Sequence, residues 1–229
     1  MKVNKEQIDD LYTFTIKHFV EYYDLQTELV DHLANDIESI WEKHPNVPYK
    51  DARDKAFKKF GVFGFMNAIE QRQKAMHKRY LKFLWTELKQ WFTLPKVLST
   101  ILLFLIFHTA FSTSLANYFF IAFYSIMVVL VLIKSVQLKR QFNTRKKASH
   151  KKWFLEEIIF KQAGSSTIGL IAQLHLLVNF SNNVFENYYF VLGFSVFSTL
   201  LSLWLFVSFQ VLPNKAEQLL KTTYPEFSL

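Results

Sequence analysis

The feature that most constrains this chain is an absence of charge. From Val97 to Ile133 there is no Asp, Glu, Lys or Arg, a run of 37 residues between Lys96 and Lys134. Residues 162–185 form a second uncharged run of 24, and residues 187–214 a third of 28. The hydrocarbon core of a bilayer is about 30 Å thick, so a spanning helix needs about 20 mostly apolar residues. The first run is too long for one span and suits two with a tight turn, which Ser112-Thr113-Ser114 and Asn117 can supply. The pattern predicts an all-α integral membrane protein. Its four transmembrane helices fall at about 94–112, 116–135, 159–180 and 188–211, within a domain of residues 93–212. A cytoplasmic tail follows over 213–229.

Short loops rich in Lys and Arg stay on the cytoplasmic side. Residues 134–152 carry eight basic side chains and no acid, among them Lys139, Arg140, Arg145, Lys146, Lys147, Lys151 and Lys152. The two opposite turns hold one charge between them, Glu186. The basic loop is therefore expected inside, against lipid headgroups, with both termini cytoplasmic. Tyr118, Tyr188 and Tyr189 at the outer ends and Trp91 and Trp153 at the inner ends suit an aromatic belt. The polar start, Met-Lys-Val-Asn-Lys-Glu-Gln, does not read as a signal peptide. The expected location is a bacterial cytoplasmic membrane.

Only here does composition add something. The chain has 229 residues, net charge +8 and no cysteine. Disulfide scaffolds, thiolate metal sites and cysteine nucleophiles are excluded. The basic excess is membrane-proximal: residues 1–61 carry 9 basic and 12 acidic groups, whereas 93–163 carry 10 and 2. An acidic N-terminal part repels phosphate, so direct nucleic-acid binding is not expected.

Residues 1–92 read as a cytoplasmic helical module. Asn4 with Gln7 can cap the first helix. Leu25, Leu29, Leu33, Ile37 and Ile40 give a second helix its apolar stripe, from about Asp24 to Lys43. A third is expected from Tyr49 to Phe60, with Gly61 at its C-terminal cap. A long fourth, 62–92, carries a seam of Val62, Met66, Ile69, Met76, Tyr80, Phe83, Leu84 and Trp91 and leads almost directly into the first span.

The run Tyr23-Asp24-Leu25-Gln26-Thr27-Glu28-Leu29-Val30-Asp31-His32-Leu33, then Asp36-Ile37-Glu38 and Phe57-Lys58-Lys59-Phe60-Gly61, resembles the HAAS-type module. This is the helix-turn-helix-associated α-helical signalling domain, related to permease-prefix domains. The resemblance covers about residues 1–75. It implies a small cytoplasmic helical module fused to membrane helices, often encoded beside a PadR-like transcription regulator or fused to transporter permeases. It brings no catalytic residues.

Glu28, His32 and Asp36 recur at four-residue spacing beside the second helix's stripe. Glu28 and His32 could supply two metal ligands from one face, with His18 or Asp31 completing a set. They could equally form a surface i,i+4 pair. As a recognition surface, Glu28, Asp31, His32, Asp36, Glu38 and Glu42 make an acidic arc for a basic partner. Within the spans, His108 and His175 are the ionisable groups, and such groups are candidates for function. Two facing histidines can hold haem iron. Gln173 and Asn179 join His175 in the most polar span, expected to face the bundle interior. No catalytic motif, phosphate loop or metalloprotease signature is present.

These features predict a non-catalytic regulatory protein with no cofactor and no resident metal. Membrane lipids and a cytoplasmic protein, for which a PadR-like regulator is a candidate, are its expected partners. An accessory subunit of a transporter or other membrane complex is the alternative, ahead of a haem- or metal-binding membrane protein. A homo-oligomer is compatible with either.

Overall fold

The computed structural model describes residues 1–149, 151–161, 184–224 and 227. The described residues are helical, without a β-strand. The chain divides into two compact units: Met1–Lys78 with Lys146–Leu155, and Arg79–Arg145 with Glu156–Leu229.

The first unit begins with α1 (Lys5–Lys17), α2 (Tyr23–Lys43) and α3 (Tyr49–Lys58). Asn4 accepts the Gln7 backbone N–H while the Gln7 side chain accepts the Asn4 N–H, so two orphan donors are satisfied reciprocally. The helices close on Leu11, Leu25, Leu29, Leu33, Ile37, Ala52 and Ala56, all at most 2 % exposed. These residues recur at three- and four-residue spacing, so each helix turns one stripe inward. Trp41 is buried and donates its indole N–H to the Val47 carbonyl at 2.9 Å, fixing the turn that Pro45 and Pro48 open.

α4 (Met66–Lys89) starts four residues later than its seam suggests. Val62 and Phe63 stand exposed in a turn between Gly61 and Gly64, whose φ angles of +81° and +52° stop helix propagation. Only Met76, Tyr80, Leu84 and Leu88 form a strictly buried row along α4. After a 3₁₀ turn over Gln90–Phe92 the chain breaks, and the axis turns by 83° into α5 (Lys96–Phe111). A nearly direct passage into the first span is therefore not what forms. Thr93 is extended (φ −115°, ψ 156°), and Pro95 disfavours helical geometry at the residue before it.

In the second unit α5 packs on α8 (Tyr188–Phe206). The expected turn lies between Phe111 and Ala116. Around it Phe107, Phe111, Phe120, Tyr124 and Val191 form an aromatic core, with Phe185 and Phe194 against it. Tyr124 and Ser198 share a hydrogen bond at 3.2 Å across this core. α6 runs unbroken over Ala116–Ser149, 34 residues. At 1.5 Å per residue that is about 51 Å, well beyond a bilayer core. The basic segment expected as a loop is helical as far as Ser149, because no Gly or Pro interrupts it and Lys, Arg, Gln and Leu favour helix.

α7 covers residues 154–161. Of the third expected span, 159–180, residues 162–180 lie outside the described residues. α8 continues through a π-helical turn, Val207–Val211, into α9 (Leu212–Asn214). Pro213 lacks an N–H and its ring crowds the carbonyl four residues back, which shifts the local bonding to the wider π pattern. α10 (Ala216–Thr223) is amphipathic and buries Ala216 and Leu220, so the expected tail is partly packed structure.

Among the described residues two helices, Ala116–Ser149 and Tyr188–Asn214, are long and apolar enough to cross a membrane. A third candidate is the bent pair Met66–Phe92 with Lys96–Phe111. Long apolar helices with Tyr118, Tyr188 and Tyr189 exposed at their ends are the marks of a membrane protein.

Candidate functional site

α2, the end of α3 and the first half of α4 enclose an open groove of about 470 Å³ within the first unit. Leu25 and Leu29 form part of its apolar floor, with Phe60 at the α3 end. Ala68 and Ala75 keep the α4 wall low, and their small side chains leave the groove unfilled. Glu28, His32 and Asp36 line the α2 wall, one turn apart. Their four-residue spacing places them along a single edge of the buried stripe.

The rim charges are paired. Arg72 Nη1 lies 3.3 Å from Glu28 Oε2, and Arg72 Nε lies 3.1 Å from Asp24 Oδ2. Lys59 Nζ meets Asp36 Oδ1 at 2.7 Å. His32 stands exposed between the two pairs. Glu28 turns to Arg72 rather than to the imidazole, so the expected Glu28–His32 pair is not formed. The groove thus offers an apolar floor between two ion-paired ends, with one imidazole on its rim.

The remaining acidic candidates lie elsewhere on α2. At about 100° per residue, Asp31, Glu38 and Glu42 fall on the opposite flank of the stripe from Glu28, His32 and Asp36. Glu38 accepts the Val3 N–H at 3.0 Å and anchors the chain start. Asp31 and Glu42 are exposed. His18 is used structurally, with Nδ1 2.8 Å from the Phe14 carbonyl and its ring against Phe14 and Phe57. Among the described residues no group of three His, Asp or Glu is placed to hold a metal ion.

Two residues that complete this site, Lys59 and Arg72, are not among the sequence-predicted site residues. Arg72 had a signal. It lies three residues after Ile69 and four before Met76, on the apolar seam of α4. A guanidinium on such a seam calls for a buried acid, and Asp24 is only 4 % exposed.

The same carboxylate ties down the far end of the basic segment. Asp24 Oδ1 accepts the Phe154 backbone N–H at 3.2 Å, and the Tyr23 N–H donates to the Lys152 carbonyl at 2.8 Å. Lys152 Nζ reaches Glu21 at 2.6 Å and lies over the Tyr22 ring, while Lys151 lies over Tyr23. Trp153, expected at the interface, is 2 % exposed and meets Tyr23 edge-on. Arg145 pairs at 2.5 Å with the buried Glu156. Lys139, Arg140, Lys146 and Lys147 are exposed along α6.

In the second unit His108 stacks on Phe104 and meets Tyr188 edge-on. Gln173, His175 and Asn179 lie outside the described residues. A second cavity, about 350 Å³, lies between α6 and the end of α8. Apolar side chains line it, and Lys134 meets Gln210 there at 3.3 Å. Comparison of the chain with protein-family models, curated proteins and solved structures finds no match.

Proposed function

We propose that this is a non-catalytic regulatory protein of the bacterial cytoplasmic membrane, with four spans and both termini inside. Its N-terminal helical module binds a cytoplasmic protein through the α2–α4 groove. The observation that carries this reading is the groove itself, with its apolar floor and paired charges at both ends. Such a groove fits one face of an amphipathic helix, whose apolar side chains fill the floor while its polar flanks meet Arg72, Lys59 and His32. A PadR-like regulator is the partner class that the HAAS-type resemblance implies. The three uncharged runs support the four spans, and the basic residues of 134–152 support the orientation.

The test is direct binding of the full-length protein, in nanodiscs, to the PadR-like regulators of its own genome. Ala75→Phe fills the groove from its exposed wall and is expected to abolish binding without changing the helical spectrum. Absence of binding by the unsubstituted protein would overturn the partner assignment. Stoichiometric co-purification with integral membrane proteins instead would identify an accessory subunit. A carboxy-terminal fluorescent reporter active only in the cytoplasm is the expected topology result.

A further inference from the structure

α1 ends in a Schellman motif that has the wrong residue for its geometry. The Val20 N–H donates to the Thr15 carbonyl and the Phe19 N–H to the Ile16 carbonyl. The residue at C′, Phe19, has φ +65°. Glycine is the usual occupant of that left-handed position, because a Cβ there crowds the backbone. Phe19 gains nothing inside the fold in return, since its ring is 82 % exposed. A strained backbone carrying a large exposed aromatic points to a use outside the fold.

A second exposed apolar turn lies nearby. Val62 is 99 % and Phe63 71 % exposed, held out by Gly61 and Gly64. The two turns share one ring cluster. The ring of His18, next to Phe19, lies tilted 4.5 Å from Phe57 and edge-on 6.0 Å from Phe65. A Cβ on Gly64 would meet Phe57 at 2.9 Å. The exposed cations Lys17 and Lys58 flank the pair of turns. The neighbouring acid, Glu21, is neutralised by Lys152 at 2.6 Å.

We propose that Phe19, Val62 and Phe63 insert into the bilayer interface, with Lys17 and Lys58 against anionic headgroups. The inference rests on the reading of this chain as membrane-spanning. Aromatic and aliphatic tips flanked by lysine are the chemistry of interfacial insertion. Chain length favours the lipid surface over a protein as occupant. Tyr23 and Asp24 bind Lys152 and Phe154, and Phe154 precedes the expected third span, at Ile159, by only five residues. The α1–α2 turn is thereby bound to a segment that lies only a few residues from that span in sequence.

The chain has no cysteine, so single labels are unambiguous. The full-length variants Val62→Cys, Val129→Cys and Asn35→Cys are labelled with a polarity-sensitive dye. Each is placed, one copy per nanodisc, in phosphatidylethanolamine–phosphatidylglycerol with and without nitroxide-labelled lipid. The expected result is a blue shift and nitroxide quenching at Val62→Cys and Val129→Cys, with neither at Asn35→Cys. Adding Phe19→Gly should weaken the Val62→Cys signal while raising the unfolding temperature, since it removes strain along with the ring. If Val62→Cys behaves as Asn35→Cys while Val129→Cys is quenched, this inference falls and the membrane reading stands. If neither is quenched, the membrane reading falls with it. A blue shift without nitroxide quenching, present only in discs holding two copies, would assign the patch to a contact between chains and overturn the lipid proposal.

Discussion

Asp24 accepts the backbone N–H of Phe154 at 3.2 Å, across 130 residues of sequence. Its second oxygen faces Arg72 Nε at 3.1 Å. One buried carboxylate thus joins the start of α2, the first half of α4 and the segment after α6 within the first unit. Without this acceptor the Phe154 N–H stays desolvated and Arg72 loses the nearer of its two carboxylates. Asp24→Ala is expected to cost about 2–4 kcal/mol. Asp24→Asn, which keeps one acceptor, should cost about half as much. Hydrogen exchange should speed up across residues 146–155 in Asp24→Ala, and unchanged protection there would contradict the assignment.

Phe19 holds a left-handed conformation with its ring in the open. Phe19→Gly is therefore expected to stabilise the detergent-solubilised protein. The relief of about 1–2 kcal/mol of backbone strain exceeds the roughly 0.5–1 kcal/mol entropic cost of glycine. Thermal unfolding followed by circular dichroism gives the sign; a lowered midpoint would mean the ring packs on something.

Gly61 and Gly64 separate two costs. Both have positive φ, but a Cβ on Gly61 meets nothing within 4 Å, whereas on Gly64 it meets Phe57 at 2.9 Å. Gly61→Ala should cost about 1 kcal/mol from backbone strain alone. Gly64→Ala adds displacement of a ring packed on Phe14 and Phe65, for a total of about 2–3 kcal/mol. Equal midpoints for the two variants would show that the ring yields freely.

Asp10 accepts hydrogen bonds from the Tyr49 hydroxyl and from Arg53, both at 2.9 Å. Burial raises its pKa, but these two donors and the Arg53 charge outweigh burial and hold the carboxyl below its ordinary value near 4. The group therefore adds stability above its unfolded pKa, and that stability is lost as pH falls through the lower folded value. Asp10→Asn should remove this contribution at neutral pH, and its unfolding midpoint should converge with the parent's below about pH 4. Because the Asp10 side chain is 43 % exposed, solvent screening limits the effect to a few tenths of a kcal/mol. Parallel pH profiles would disprove the linkage.

Tyr49 carries the opposite sign. Burial, then the hydrogen bond to Asp10, raises its hydroxyl above the ordinary tyrosine pKa of about 10. Its contribution is full below that value and is lost as pH rises toward the folded one. Tyr49→Phe is expected to flatten the alkaline limb of the stability profile between about pH 10 and 12, while the parent loses stability there.

Much of the local structure was legible because its causes are local. The capping box at Asn4, the apolar stripe of α2 from Tyr23 to Lys43, and the turn between Phe111 and Ala116 each follow from residues within a few positions. The end of α6 was misread because polarity was taken for a helix boundary. Charge marks where a helix leaves a bilayer, whereas only lost backbone hydrogen bonding ends the helix, and nothing in 134–149 causes that loss. The site was half legible. Glu28, His32 and Asp36 share an edge of α2 by spacing alone. That this edge faces Arg72 and Lys59 depends on how α2, α3 and α4 pack.

Charge spacing by itself determined that long uncharged helices exist here, because twenty or more such residues have few soluble uses. Only the tertiary structure decided the pairing of Glu28 with Arg72 instead of His32, and the burial of Trp153 beside Tyr23. Each of these turns on which distant group reaches a buried polar atom or apolar face first. Packing of the whole chain sets that outcome, and no sequence window contains it.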